Sequence, residues 1–468
     1  MPQRTPLTWF ALIFCVLLSP AAGIAQDRPH LLYITVDDLG WRDVGYHGGP
    51  VKTPHIDRLA QGGYRLEKFY VQPFSGQTRA AAMTGRYPMR YGFQTLAVQS
   101  FSSYGLPLDE RILPRALKDA GYRTVLVGKW HLGHAKREFW PTQRGFDVHY
   151  GPLMGEIDHV KKIARDGSLD WRRNDKPVKE EGYATALLGK EAVNFIGKHD
   201  SKMPLFMHLS FTAPQAPYQA PKEYLDQYTD VADPAQRAYR AMISAVDDQV
   251  GKVIQALEAR AMLSNTLIVF HPNCGGALKL KNATGDGDPP FDVADNGHFK
   301  QGRGTFYDGG VRVGAVFHWA GKIEPGSTID LAHAIDLYPT LLKLAGVSLE
   351  QKKAIDGLDL WPVVSTGAPS PRTEVLINVE DFRGAVIMGQ WKLVHYGTLP
   401  SRSELYYLHG DPSEENDQAA GNPDKVKELS KRLNDAAWEM APSQYLQDLL
   451  KARKATAPMA WGENPPRP

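Results

Sequence analysis

The sequence predicts an α/β protein with a large mixed, mainly parallel sheet flanked by helices, plus a smaller C-terminal α+β subdomain with an antiparallel sheet. Three observations carry this. Short β-rich apolar runs alternate with helix-prone segments through the first three quarters of the chain, the pattern of strands joined by helical crossovers. The run at 30–36 (HLLYITV) lacks the apolar/polar alternation of a half-exposed strand, so it is buried on both faces. After Pro369-Ser370-Pro371 the character changes to short strands at hairpin spacing.

Taken in order, the strand at 30–36 ends in Asp37-Asp38-Leu39-Gly40 and so delivers two carboxylates at its C-terminal end, where open α/β sheets place their ligands. Residues 56–63 form a short helix after Thr53-Pro54. A polar turn at 75–78 leads into a helix over the Ala-rich 79–84, and 112–121 has helical spacing with a Gly stop. Further strands fall at 124–127, 204–210 and 266–270, with a long amphipathic helix at 235–257 between the last two. Residues 282–296, rich in Gly, Asp and Pro, read as a surface loop. Strands at 375–379, 385–388 and 391–395 and a polar helix at 423–440 follow, with an irregular tail after residue 457.

At 468 residues the chain exceeds a single core, so the sequence divides into a signal at 1–25, a large domain at 26–369 and the smaller subdomain at 370–468. The signal rests on Arg4, an apolar run at 7–18 and small residues at Gly23-Ile24-Ala25. It predicts an exported protein, periplasmic or secreted, and no other stretch is long enough to span a bilayer. Hydrophobic residues make up 43% and charged residues 23%, with a net charge of +2, which argues against a nucleic-acid partner. Cys15 leaves with the signal, so Cys274 stands alone and no intramolecular disulfide forms.

Several segments then become specific. They include Val36-Asp37-Asp38-Leu39-Gly40, Thr53-Pro54-His55-Ile56-Asp57-Arg58-Leu59-Ala60, Met83-Thr84-Gly85-Arg86-Tyr87 and Gly128-Lys129-Trp130-His131-Leu132-Gly133. Pro141-Thr142-Gln143-Arg144-Gly145-Phe146-Asp147, Tyr307-Asp308-Gly309-Gly310-Val311-Arg312 and Asp336-Leu337-Tyr338-Pro339-Thr340 follow in the same order. Together they resemble the sulfatases, in particular the arylsulfatase B-like branch with its alkaline phosphatase superfamily fold. The resemblance implies hydrolysis of sulfate esters on sulfated small molecules or glycans, using Ca2+ and a formylglycine made from Cys or Ser. The chemistry needs positive charge around the sulfate oxygens, a positioned nucleophile and a proton donor for the departing alkoxide.

Matched position by position, the resemblance makes Asp37 and Asp38 the first calcium ligands, and Lys129 and His131 contacts to the sulfate and the formylglycine. Ser75 falls at the precursor position, but Ser75-Gly76-Gln77-Thr78-Arg79 departs from the family pattern at Gln77, where Pro or Ala is usual. Conversion to formylglycine is therefore not expected, while Arg79 is retained. Gln215 stands where relatives carry His, and an amide cannot donate a proton as an imidazolium does. Asn273 and Cys274 replace Asp and Asn of the calcium site, so calcium binding is expected to be weakened; the bland role for Cys274 is a small buried side chain. Arg303 takes the place of a sulfate-binding Lys. Arg86 and Arg90 read as scaffold or rim cations, and Trp140, His149 and 156–159 as rim residues. The expectation is a pseudo-sulfatase that keeps affinity for sulfated ligands. Two alternatives stand beside it: an active sulfatase that matures Ser75, and a phosphatase or phosphodiesterase using Ser75 or Thr78 directly.

Overall fold

The protein is described by a computed structural model covering residues 28–96, 98–279 and 292–452. The expected signal at 1–25, the tail after 457 and most of the loop at 282–296 lie outside the described residues.

The strands of the large sheet are β1 (His30–Val36), β2 (Tyr64–Tyr70), β3 (Arg123–Gly128), β4 (Val148–Gly151), β5 (Arg172–Arg173), β6 (Lys176–Pro177), β7 (Leu205–Ser210), β8 (Thr266–Pro272), β9 (Arg312–His318), β10 (Gly326–Thr328) and β11 (Ala332–His333). Their order is β10-β2-β9-β8-β1-β7-β3-β4-β5-β6, with β11 also beside β2. The centre is parallel: β1 lies between β7 and β8, and β3 pairs with β7 and β4. β9 runs antiparallel between β2 and β8, and the short β5 and β6 close the far edge antiparallel. The α/β class with a mixed, mainly parallel sheet is thus borne out.

Successive side chains of a strand point to opposite faces. Leu31 and Tyr33 accordingly enter one apolar cluster with Phe206, Leu267 and Val269, beneath Leu113, Leu117, Leu337 and Leu341 of two helices. Leu32 and Ile34 enter the other with Met207, Ile268 and Phe270, beneath Leu188 and Ala192 of the helix Ala184–Lys198 and Met242 and Val246 of the helix Pro234–Ala259. Both faces are covered, as the uninterrupted apolar runs required.

The helix α1 spans Pro54–Gln61 and α2 spans Ser75–Thr84. The expected turn at 75–78 is instead the first turn of α2: the amides of Gln77 and Thr78 donate to the Phe74 carbonyl at 3.1 and 3.2 Å. All ten α2 residues are buried, so tertiary packing overrides the turn-like Ser-Gly pair.

A second sheet, β12 (Glu374–Ile377), β13 (Arg383–Met388), β14 (Trp391–Tyr396) and β15 (Arg402–Tyr407), is an antiparallel meander. One face packs on Leu429, Leu433 and Ala436 of the helix Pro423–Trp438. The other packs on Tyr70, Phe306 and Val311 of the large domain. Between them Lys392 is fully buried and bridges Asp308 at 2.7 Å and Glu414 at 2.8 Å. Among the described residues no helix is long and apolar enough to cross a membrane.

Candidate functional site

Four parallel strands end on the same side of the sheet, and each hands over to a site residue. Asp37 and Asp38 follow β1, with Asp38 in the left-handed region at φ 55°. Lys129 follows β3. Asn273 and Cys274 follow β8, registered by the Asn273 amide donating to the Val36 carbonyl at 2.8 Å. Gln215 lies five residues past the end of β7. At Gly128, φ is +119° and a Cβ would come within 1.9 Å of the Ser210 carbonyl oxygen. Only glycine lets β3 approach β7 closely enough to place Lys129.

The residues converge on Asp37, which is fully buried. Arg79 donates to its Oδ1 at 2.7 Å and Asn273 Nδ2 to the same oxygen at 3.0 Å. Lys129 Nζ donates to Oδ2. Burial works to raise the Asp37 carboxyl, but Arg79 and Lys129 overcome it and hold it below the usual carboxylate range. Arg79 also donates to the Lys129 carbonyl at 3.0 Å and to the Ser210 hydroxyl, which in turn donates to that carbonyl at 2.8 Å. Arg79 therefore fixes the carboxylate and the β3 end, and not the nucleophile position.

Asp38 receives the Cys274 thiol at 3.1 Å and lies 3.3 Å from Arg303 Nε. Burial pushes the Asp38 carboxyl upward, with Arg303 opposing, and pushes the Cys274 thiol well above its ordinary range. Cys274 is thus a buried S–H donor, the bland role expected of it. Arg303 also lies over the Phe74 ring, 5.9 Å from its centroid, so it links Asp38 to the start of α2.

The Ser75 hydroxyl is 3.4 Å from Lys129 Nζ and 3.5 Å from His131 Nδ1. His131 Nε2 sits 3.0 Å from the Val98 carbonyl. A carbonyl only accepts, so Nε2 carries the proton and Nδ1 presents its lone pair to Ser75. Burial, then Lys129 and Arg79, drive the imidazole well below its usual pKa. His131 is therefore neutral at pH 7 and adds no charge to that of Arg79, Lys129 and Arg303. His131 should accordingly add no charge contribution to sulfate affinity across the usual imidazole range and contribute only in more acid solution. Calorimetric titration with sulfate across that range checks it.

Gln215 Oε1 accepts from Lys129 Nζ at 2.9 Å, so the amide is held by the cation. Gln77 is buried, its Nε2 donating to the Gln94 carbonyl. The residues expected at the rim are mostly interior. Trp140, His149 and His159 are buried, their ring nitrogens turned to the carbonyls of His134, Gly128 and Gln215. Arg86 pairs with Glu110 and Arg90 with Asp356, both at 2.7 Å, as scaffold cations. Ser210 was missed; its signal was its place as the last residue of β7, ahead of Phe211-Thr212-Ala213-Pro214.

Ca2+ takes six to eight hard oxygens at roughly 2.3–2.6 Å. Here both Asp37 oxygens and Asp38 Oδ1 already receive donors. Asn273 Oδ1 is a buried acceptor with no partner, and the fourth ligand position holds a thiol. One orphaned amide oxygen beside a soft sulfur and two engaged carboxylates does not fit calcium. Among the described residues no group of three or more His, Cys, Asp or Glu forms a metal site. At the position of the formylglycine precursor stands Ser75, and the buried Gln77 occupies the place where the family pattern has Pro or Ala.

A mixed, mainly parallel sheet with two carboxylates and Lys129 at its strand ends, met there by Arg79 of α2 and by Arg303, and joined to a small antiparallel sheet, defines the alkaline phosphatase-like fold class. The chain belongs to the sulfatase family: the family model "Sulfatase" matches residues 29–347, and the model "N-sulphoglucosamine sulphohydrolase, C-terminal" matches residues 296–441. Mouse (Mus musculus) arylsulfatase J is 33% identical over 80% of this chain and 62% of its own length. The N-acetylgalactosamine-6-sulfatase of the same species is 32% identical over 84% of this chain and 76% of its own. A crystal structure of Ps i-CgsB in complex with k-i-k-neocarrahexaose superposes with a TM-score of 0.80 at 30% identity, covering 92% of this chain and 99% of that one.

Proposed function

We propose that this chain is a pseudo-sulfatase: it holds a sulfated ligand at the strand ends and does not turn it over. The observation that carries the reading is the Lys129–Gln215 contact of 2.9 Å. The side chain at the acid position is an amide, and its oxygen accepts from Lys129 Nζ. Sulfate ester cleavage leaves an alkoxide that needs a proton. Gln215 has none to give, and His131 Nε2–H is committed to the Val98 carbonyl. Arg79, Lys129 and Arg303 meanwhile keep a concentration of positive charge suited to a tetrahedral oxyanion.

Ser75 is part of the cradle, placed between Lys129 and His131, and it stays serine. The ligand class is a sulfated glycan or small sulfate ester, a reading supported by the oligosaccharide complex of a structure that is 30% identical. The N-terminal signal expected at residues 1–25 supports a location outside the cytoplasm, where such glycans are met.

Peptide mass spectrometry across residues 65–90, alongside calorimetric titration with inorganic sulfate, tests this. The expected result is an unmodified Ser75 and saturable binding. An aldehyde mass at Ser75 would favour the alternative of a working sulfatase.

A further inference from the structure

The cations of this site contact the two carboxylates that the family resemblance assigns to a divalent metal. Asp37 receives Arg79 and Lys129, and Asp38 receives Arg303. With both carboxylates charged, three positive side chains already exceed two negative ones. Asp37 and Lys129 are fully buried, and Arg79 and Asp38 nearly so. A further double charge would enter a low-dielectric region already in positive excess, with no third carboxylate to offset it.

The replacements act together. Asn273 removes a negative charge and turns its amide N–H to Asp37. Cys274 turns a proton donor to Asp38 Oδ1. Arg303 is anchored on both sides by backbone bonds, its own amide to the Gly276 carbonyl at 3.1 Å and that of Gly304 to the Pro73 carbonyl at 2.9 Å. Its guanidinium is thereby held between Asp38 and Phe74, the residue before Ser75.

We infer that the site is a self-compensated anion cradle, in which Arg303, together with Arg79 and Lys129, takes over the charge role of a divalent cation, so that a sulfate-class tetrahedral oxyanion binds without metal. The inference rests on the anion-holding function proposed above and says how that function is powered. Arg303 becomes the specificity-determining residue: its planar fork addresses two oxygens of the anion, whereas an ammonium presents a point charge.

Two readouts on the full chain keep the inference and the underlying function apart. The first is calcium retained after equilibrium dialysis, read by elemental analysis. The second is affinity for inorganic sulfate, measured by calorimetry in chelator and again in excess calcium. The expected result is no stoichiometric calcium and a sulfate affinity that agrees within about two-fold between the conditions. A triple variant, Asn273→Asp, Cys274→Asn and Arg303→Lys, should retain calcium and lose roughly ten-fold or more in sulfate affinity on chelation. Stoichiometric calcium on the unaltered chain, or sulfate binding lost on chelation, would overturn the inference while leaving the anion-holding function intact. Absence of sulfate binding in every condition would overturn the function itself, and the cradle with it.

Discussion

Replacing Lys129 with methionine should cost the folded chain about 3 kcal/mol and abolish sulfate binding. Lys129 and Asp37 are both fully buried, and the ammonium also donates to Gln215 Oε1 at 2.9 Å and lies 3.4 Å from the Ser75 hydroxyl. Methionine fills much of the volume, so the loss isolates the charge and not the packing. Breaking a buried pair by removing one partner typically costs about 3–5 kcal/mol; here Arg79 stays on Asp37, which places the value at the low end. Urea melts give the stability and calorimetry the binding. Adding Asp37→Asn to Lys129→Met should restore part of the stability, because no unpaired carboxylate is left, and none of the binding. An unchanged urea midpoint for the single variant would contradict this account of the site's electrostatics.

Lys392→Met should destabilise by roughly 3–5 kcal/mol while sparing sulfate affinity per folded molecule. Lys392 pairs with Asp308 and Glu414, all three buried, at the seam between the two sheets. Asp308 keeps the Tyr70 hydroxyl at 3.1 Å and Arg312 at 3.4 Å, and the Asp308 amide donates to Glu414 at 2.6 Å. These contacts leave two carboxyls close together without their shared cation. Burial already pushes Glu414 up to about 7, so the variant should take up a proton there and lose the tie between β14 and the short helix Asp308–Val311 before β9. Hydrogen exchange should show β12–β15 opening ahead of the parallel centre. Equal protection in both sheets would argue against a separate seam.

The parallel centre was legible because β1, β3, β7 and β8 are buried on both faces and so carry unbroken apolar runs. β5, β6, β10 and β11 are two or three residues long, too short for any period to show. The start of α2 was misplaced because Ser75-Gly76 favours a turn locally, whereas the Phe74 carbonyl captures two amides once the helix is packed. At the site, the positions Asp37, Ser75, Arg79, Lys129, Gln215, Asn273 and Cys274 were legible as matched segments. Their pairings were not. That Arg303 meets Asp38 depends on residues far apart in sequence, the neutrality of His131 depends on its burial beside Lys129 and Arg79, and its tautomer depends on Val98, which no motif marks. Trp140 and His149 look like rim residues in a polar stretch, yet strand and loop packing turns them inward.

Retention of the anion without turnover is tested most directly by following sulfate release from an aryl sulfate and from sulfated glycan oligosaccharides by the full chain. A parallel assay uses the variant combining Ser75→Cys, Gln215→His, Asn273→Asp, Cys274→Asn and Arg303→Lys, expressed with a formylglycine-generating system. The expected result is no multiple turnover by the unaltered chain and release above background by the variant. Repeated turnover by the unaltered chain, at a rate ordinary for sulfatases, would contradict it.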